Sequence, residues 1–118
     1  MISIEGYKDW LILNGYKEKT PKNQPSTVYN YTLSIENVLK WEHIDIGNLA
    51  KNINSIIKIY DKGGIKKSVG DEKHGTVISS LKCFKIYVIV DNLPSIIKLI
   101  IKTLLYILKP FRKIIKNL

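Results

Sequence analysis

A chain of 118 residues has room for one domain with one hydrophobic core and little besides. Its 45% hydrophobic and 25% charged residues exclude a disordered chain, and its single cysteine, Cys83, excludes an internal disulfide and fits a reducing, cytoplasmic compartment. The net charge of +9 is uneven: residues 1–91 hold 13 lysines and ten acids, whereas residues 92–118 hold five lysines, Arg112 and no acid.

Glu5, Lys8 and Asp9 stand where the apolar stretch of a signal peptide would begin, so none is expected. A first helix is predicted over residues 3–14, with Ile4, Tyr7, Trp10, Leu11 and Leu13 as its stripe and Gly15 placed to close it. Residues 16–25 contain Pro21 and Pro25 and no periodicity, which predicts a loop. Ser26 is the expected N-cap of a second helix reaching Glu42, on which Val28, Tyr31, Ile35, Val38 and Trp41 or Glu42 recur at helical steps. After a turn containing Gly47, with Asn48 able to cap, the residues Leu49, Ile53, Ile56, Ile57 and Tyr60 predict one third helix. A connection rich in glycine and lysine follows over residues 61–73. The fourth helix is predicted over residues 76–90, buried through Val77, Leu81, Phe84 and Val88, and ended by Asp91-Asn92-Leu93-Pro94. No alternating run suggests a strand. The reading is all-α, with a compact four-helix bundle over residues 1–94.

Residues 95–118 form a second unit, a basic amphipathic helix. At 100° per residue Lys98, Lys102, Lys109, Arg112, Lys113 and Lys116 fall within an arc of about 100°, and isoleucine and leucine fill the rest. That is the composition of an interfacial helix, while a lysine every few residues excludes a membrane span. Pro110 should kink or divide it. Three roles stay open: completing the bundle or pairing with another subunit, lying on a membrane, or being the truncated or frame-shifted end of a longer reading frame.

No catalytic constellation is found. His43 and His74 lack partners at metal-ligand spacing, Cys83 sits beside Leu81 and Phe84 as a core residue would, and Gly63-Gly64 lacks the spacing of a phosphate loop. Neither metal, cofactor nor enzymatic activity is expected. The candidate binding surface is instead basic: Lys66, Lys67 and Lys73 in the connection before helix four, and Lys82 and Lys85 on it. Asp61, Asp71 and Glu72 dilute that patch, and lysines on a small bundle commonly form a solvated face. With one arginine in the chain, duplex DNA would be held by its phosphates rather than read by its bases.

Two segments carry a resemblance. Ser26-Thr27 followed by Tyr31, and Ser79-x-Leu81-x-x-Phe84-x-x-Tyr87, resemble in order and spacing the core-binding, SAM-like amino-terminal domain of tyrosine recombinases and phage integrases, over roughly residues 4–94. The resemblance implies that helices two and four approach duplex DNA, through Ser26, Thr27 and Asn30 on one and Lys73, Thr76, Ser79, Lys82 and Lys85 on the other. It also implies that Tyr31, Leu81 and Phe84 are core positions. The catalytic half of such an enzyme needs two arginines, a lysine, histidines and a nucleophilic tyrosine. This chain, with Arg112 alone and a different segment after Asn92-Leu93-Pro94, would bind without cutting. Two other functions stay open: a mobile-element-encoded interaction module or inhibitor of a host nucleic-acid-handling complex such as an antiviral nuclease, and a membrane-surface protein acting through its cationic tail.

Overall fold

The computed structural model describes residues 1–111. They form α1 (Ile4–Leu13), α2 (Thr27–Glu42), α3 (Ile46–Lys51), α4 (Ile53–Tyr60), α5 (Lys67–Gly70), α6 (Glu72–Asp91) and α7 (Ser95–Leu108), followed by a 3-10 turn over Lys109–Phe111. Among the described residues the sole β-type pairing is an isolated bridge between Lys19 and Pro25. The fold is all-α, as the helical periodicity predicts.

Local chemistry sets the helix ends. The Ser3 hydroxyl accepts from the Gly6 amide at 2.9 Å and caps α1. At its far end Gly15, at φ +88°, lets the amides of Gly15 and Tyr16 turn back to the carbonyls of Ile12 and Leu11. The same closure ends α2, but there the left-handed residue is His43, at φ 54° and ψ 44°. Two expected caps differ. Ser26 stands in extended backbone before α2 but its side chain makes no capping bond. Before α3 the cap is Asp45, whose carboxylate accepts from the Asn48 amide at 2.8 Å.

The expected third helix is two helices. Asn52, at φ −112° and ψ 21°, breaks it, and its side-chain amide donates to the Asn48 carbonyl at 3.0 Å, a local bond that competes with continued helix. The apolar stripe nevertheless continues across the break through Leu49, Ile53, Ile56 and Tyr60. The connection after α4 is also more ordered than its composition suggests, since it contains the single turn α5. Gly64 and Gly70 let it lie against α4: a Cβ at Gly64 would strike the carbonyls of Lys58 and Ile59, and one at Gly70 the carbonyl of Tyr60. In α6 Lys73, His74 and Gly75 are left-handed, at φ 52°, 61° and 80°, so regular helix resumes at Thr76, the predicted start.

The core lies where α1, α2, α4 and α6 meet. Tyr7, Leu11, Ile35, Leu49, Tyr60, Leu81 and Phe84 are fully enclosed, with Val28, Val38, Ile53, Ile56, Val77, Tyr87 and Val88 beside them. Tyr31 is half-buried against this cluster, and Trp41 is 40% exposed rather than a core residue. One polar chain crosses the interior. The Tyr7 hydroxyl lies 3.0 Å from the Ser80 carbonyl and hydroxyl oxygens, and the Ser80 hydroxyl donates to the Tyr31 carbonyl at 2.7 Å.

Helix α7 buries none of its residues. It runs from Ser95 to Leu108, with Pro94 before it, and tightens at Lys109, still at helical φ −50° and ψ −45°, into the 3-10 turn that contains Pro110. The expected basic positions Arg112, Lys113 and Lys116 lie outside the described residues.

Candidate nucleic-acid interface

The predicted contact residues separate into three groups. The first is a cleft of about 60 Å³ between α2 and the start of α6, lined by Asn30, Leu33, Ser34, Asn37, Trp41, Glu72, Lys73, Thr76 and Val77. Asn30 reaches it because Asn30, Ser34, Asn37 and Trp41 share one side of α2. Lys73 and Thr76 reach it from the left-handed turn. Non-glycine residues held in that backbone region cost about 1–3 kcal/mol each, and such strain concentrates at functional sites. The Thr76 hydroxyl donates to the Lys73 carbonyl at 2.6 Å, so its one proton fixes the turn. Lys73 is exposed, and no carboxylate within 4.0 Å of it is recorded among the described residues. Ser26 and Thr27 lie half-buried one turn before Asn30, whose amide donates to the Ser26 carbonyl at 3.0 Å.

The second group is basic but paired. The Lys66 ammonium lies 2.5 Å from Glu42, which also accepts from the Tyr60 hydroxyl at 2.6 Å. Burial works to raise the Glu42 carboxyl, but the bonds from Lys66 and Tyr60 outweigh it and hold the group below the usual carboxylate range. Tyr60 moves the other way, pushed well above an ordinary phenol by burial and by the adjacent carboxylate. Lys66 also lies over the Tyr60 ring, 5.6 Å from its centre. Lys67 pairs with Asp71 at 2.5 Å, and Lys82 with Asp61 at 3.2 Å. Sequence spacing offers Asp71 to Lys67, four positions on, but does not bring Glu42 to Lys66, 24 positions away, or Asp61 to Lys82.

The third group faces elsewhere. Ser79 is half-buried on the flank of α6 toward Tyr31. Lys85 is half-buried on the opposite flank, with no ion pair recorded among the described residues. Of the ten predicted contacts, Asn30, Lys73 and Thr76 therefore meet in one place, joined by Asn37, which was not singled out, and by Trp41, which was expected in the buried stripe. The signal that could have found those two is the seven- and eleven-residue spacing from Asn30, which keeps them on one helical face.

Among the described residues no cluster of three His, Cys, Asp or Glu side chains could hold a metal ion, and no helix is long and apolar enough to cross a membrane. The Cys83 thiol lies 3.5 Å from the Tyr16 hydroxyl under the loop after α1, half-buried. No family model matches this chain, and neither does any curated protein or solved structure.

Proposed function

We propose that the helical body is a non-catalytic DNA-binding module that holds duplex phosphates at the cleft between α2 and α6. The observation that carries this reading is the convergence there of Asn30 and Lys73, 43 positions apart, beside a left-handed turn, with the Lys73 ammonium in no ion pair among the described residues. The Asn30 amide and the Lys73 ammonium supply donors, and the chain's net charge of +9 supplies long-range attraction. Because Lys66, Lys67 and Lys82 face carboxylates, the contact is narrow and the affinity modest. Glu72, at the lip of the cleft, opposes it.

The test is binding to a labelled random-sequence duplex at about 50 and 200 mM salt. Affinity should fall with salt, Lys73→Glu should weaken binding and flatten the salt slope by about one charge, and Glu72→Gln should strengthen it. Equal binding by Lys73→Glu and the unaltered chain would sink the reading.

A second reading, an interaction module that inhibits a nucleic-acid-handling complex, draws on Ile86 and Ile89, which stand 50% and 53% exposed on the outer side of α6 next to Lys82. It predicts a protein complex that survives salt sufficient to strip DNA and is lost on Ile86→Asp.

A further inference from the structure

Helix α7 is turned inside out relative to a helix that completes a core. Lys98, Ile101, Lys102 and Leu105 share the side against the body, where they line a groove of about 530 Å³ with Trp10 and Tyr87. Ile100, Leu104 and Ile107 occupy the other side, exposed by 51%, 51% and 55%. Both lysines are on the side toward the body with Ile101 and Leu105, and the remaining isoleucines and leucines face solvent.

The width and charge of this surface narrow what can cover it. At 100° per residue the outward apolar arc, from Tyr106 round to Leu108, spans about 200°, roughly twice the stripe that one docked helix covers. The Thr103 hydroxyl on it already donates to the Leu99 carbonyl at 2.9 Å, and the phenol of Tyr106, 77% exposed, stands at its edge, an apolar ring with a polar tip of the kind that lies at a membrane–water boundary. At 14 residues α7 is about 21 Å long, too short to cross a bilayer but long enough to lie along one. Residues 92–118 contain no acid, so a second copy docked here would bring like charge against like charge, whereas an anionic surface would be attracted. The lysines also lie at the right level. Lys98, 3.8 Å from Asp91, and the exposed Lys102 sit between the apolar arc and the body, the depth that headgroups would occupy if the arc entered the acyl boundary.

We infer that α7 docks on an anionic lipid surface, with the Ile100–Leu104–Ile107 side embedded, the lysines among the headgroups and the body held in water above them. This rests on α7 alone and is independent of the cleft between α2 and α6.

The test is co-sedimentation of the full chain with neutral phosphatidylcholine vesicles and with vesicles containing about 30% phosphatidylglycerol. The bound fraction should be about tenfold higher on the anionic vesicles. The double variant Ile100→Glu, Leu104→Glu should fall to the neutral-vesicle level with unchanged circular dichroism and thermal unfolding, because both side chains are already in solvent. Lys73→Glu should bind vesicles as the unaltered chain does. No vesicle binding, equal binding by the double variant, or equal loss on Lys73→Glu would overturn the inference. So would a lipid-free dimer that the double variant splits, which would show that a second copy covers the face.

Discussion

The hydroxyl of Tyr7 on α1 meets Ser80 on α6 at 3.0 Å, across 73 positions of sequence, with neither side chain reachable by solvent. Through the Ser80 bond to the Tyr31 carbonyl, this contact ties α1, α2 and α6 into one polar chain inside an apolar core. Tyr7→Phe should cost about 1–2 kcal/mol, because the Ser80 hydroxyl loses a partner in a dry site. Ser80→Ala should cost a similar amount. The double variant should cost less than the sum, which a double-mutant cycle by chemical denaturation would measure.

The same burial makes stability sensitive to alkali. Tyr7 is displaced far above an ordinary phenol, chiefly by desolvation, and Tyr31, Tyr60 and Tyr87 are raised as well. In the unfolded chain they ionise near pH 10, while the folded state keeps the protons. Stability should therefore be level below about pH 10 and fall above it, by about 1.4 kcal/mol per pH unit for Tyr7 alone. A denaturation series from pH 8 to 11.5, roughly, would check this, and Tyr7→Phe should flatten the slope.

Glu42 sets the acid limit. Its carboxyl is held low despite burial, so its contribution is present above about pH 4.3, where the unfolded carboxyl ionises, and is lost as pH falls through the lower folded value. Glu42→Gln should cost about 1–3 kcal/mol at neutral pH, by leaving the Lys66 ammonium without its anion and weakening the Tyr60 bond. It should also shallow the acid limb of the stability profile below pH 5, roughly, in the same denaturation assay.

His43 closes α2 in a backbone region suited to glycine. His43→Gly should raise stability by about 0.5–1 kcal/mol, seen as a higher thermal midpoint. The opposite holds at Gly70, where Gly70→Ala should cost about 2–3 kcal/mol as the new Cβ meets the Tyr60 carbonyl.

Deleting residues 95–118 should leave the body folded. No α7 side chain is buried, and Ile101 and Leu105 are only half-covered. A loss of about 1–2 kcal/mol is expected from the groove over Trp10 and Tyr87, with a red shift of tryptophan emission as Trp10 is uncovered.

Helical periodicity made most of the architecture legible, because a stripe such as Val77, Leu81, Phe84 and Val88 can be satisfied only by burying one side. The point at which regular helix resumes in α6, Thr76, was readable for the same reason. The break at Asn52 was not, since the stripe runs unbroken across it and only the local side-chain bond reveals the kink. Of the lysines of the predicted interface, Lys67 has a partner at helical spacing in Asp71, while Lys66 and Lys82 were visible as charges but not as pairs. Whether Lys66 is a free cation depends on Glu42, which tertiary packing alone brings near. Nor does composition tell which way α7 turns: its basic positions were evident, yet that Lys98 and Lys102 lie toward the body depends on Asp91 and the Trp10–Tyr87 groove.

The two ends of the body lie together. The Met1 amino group is 3.7 Å from the Asp91 carboxylate, and the Ser3 amide donates to the Tyr87 hydroxyl at 3.3 Å. The chain between them is thus a nearly closed ring, and order along it is a matter of where the ring is cut. A circular permutant that joins Asn92 to Met1 through a short flexible linker, and opens between Lys22 and Asn23 on the exposed rim of the first loop, should reach the same packed state. Its folding rate would differ, since the α1–α6 contacts would become local and those between α1 and α2 distant.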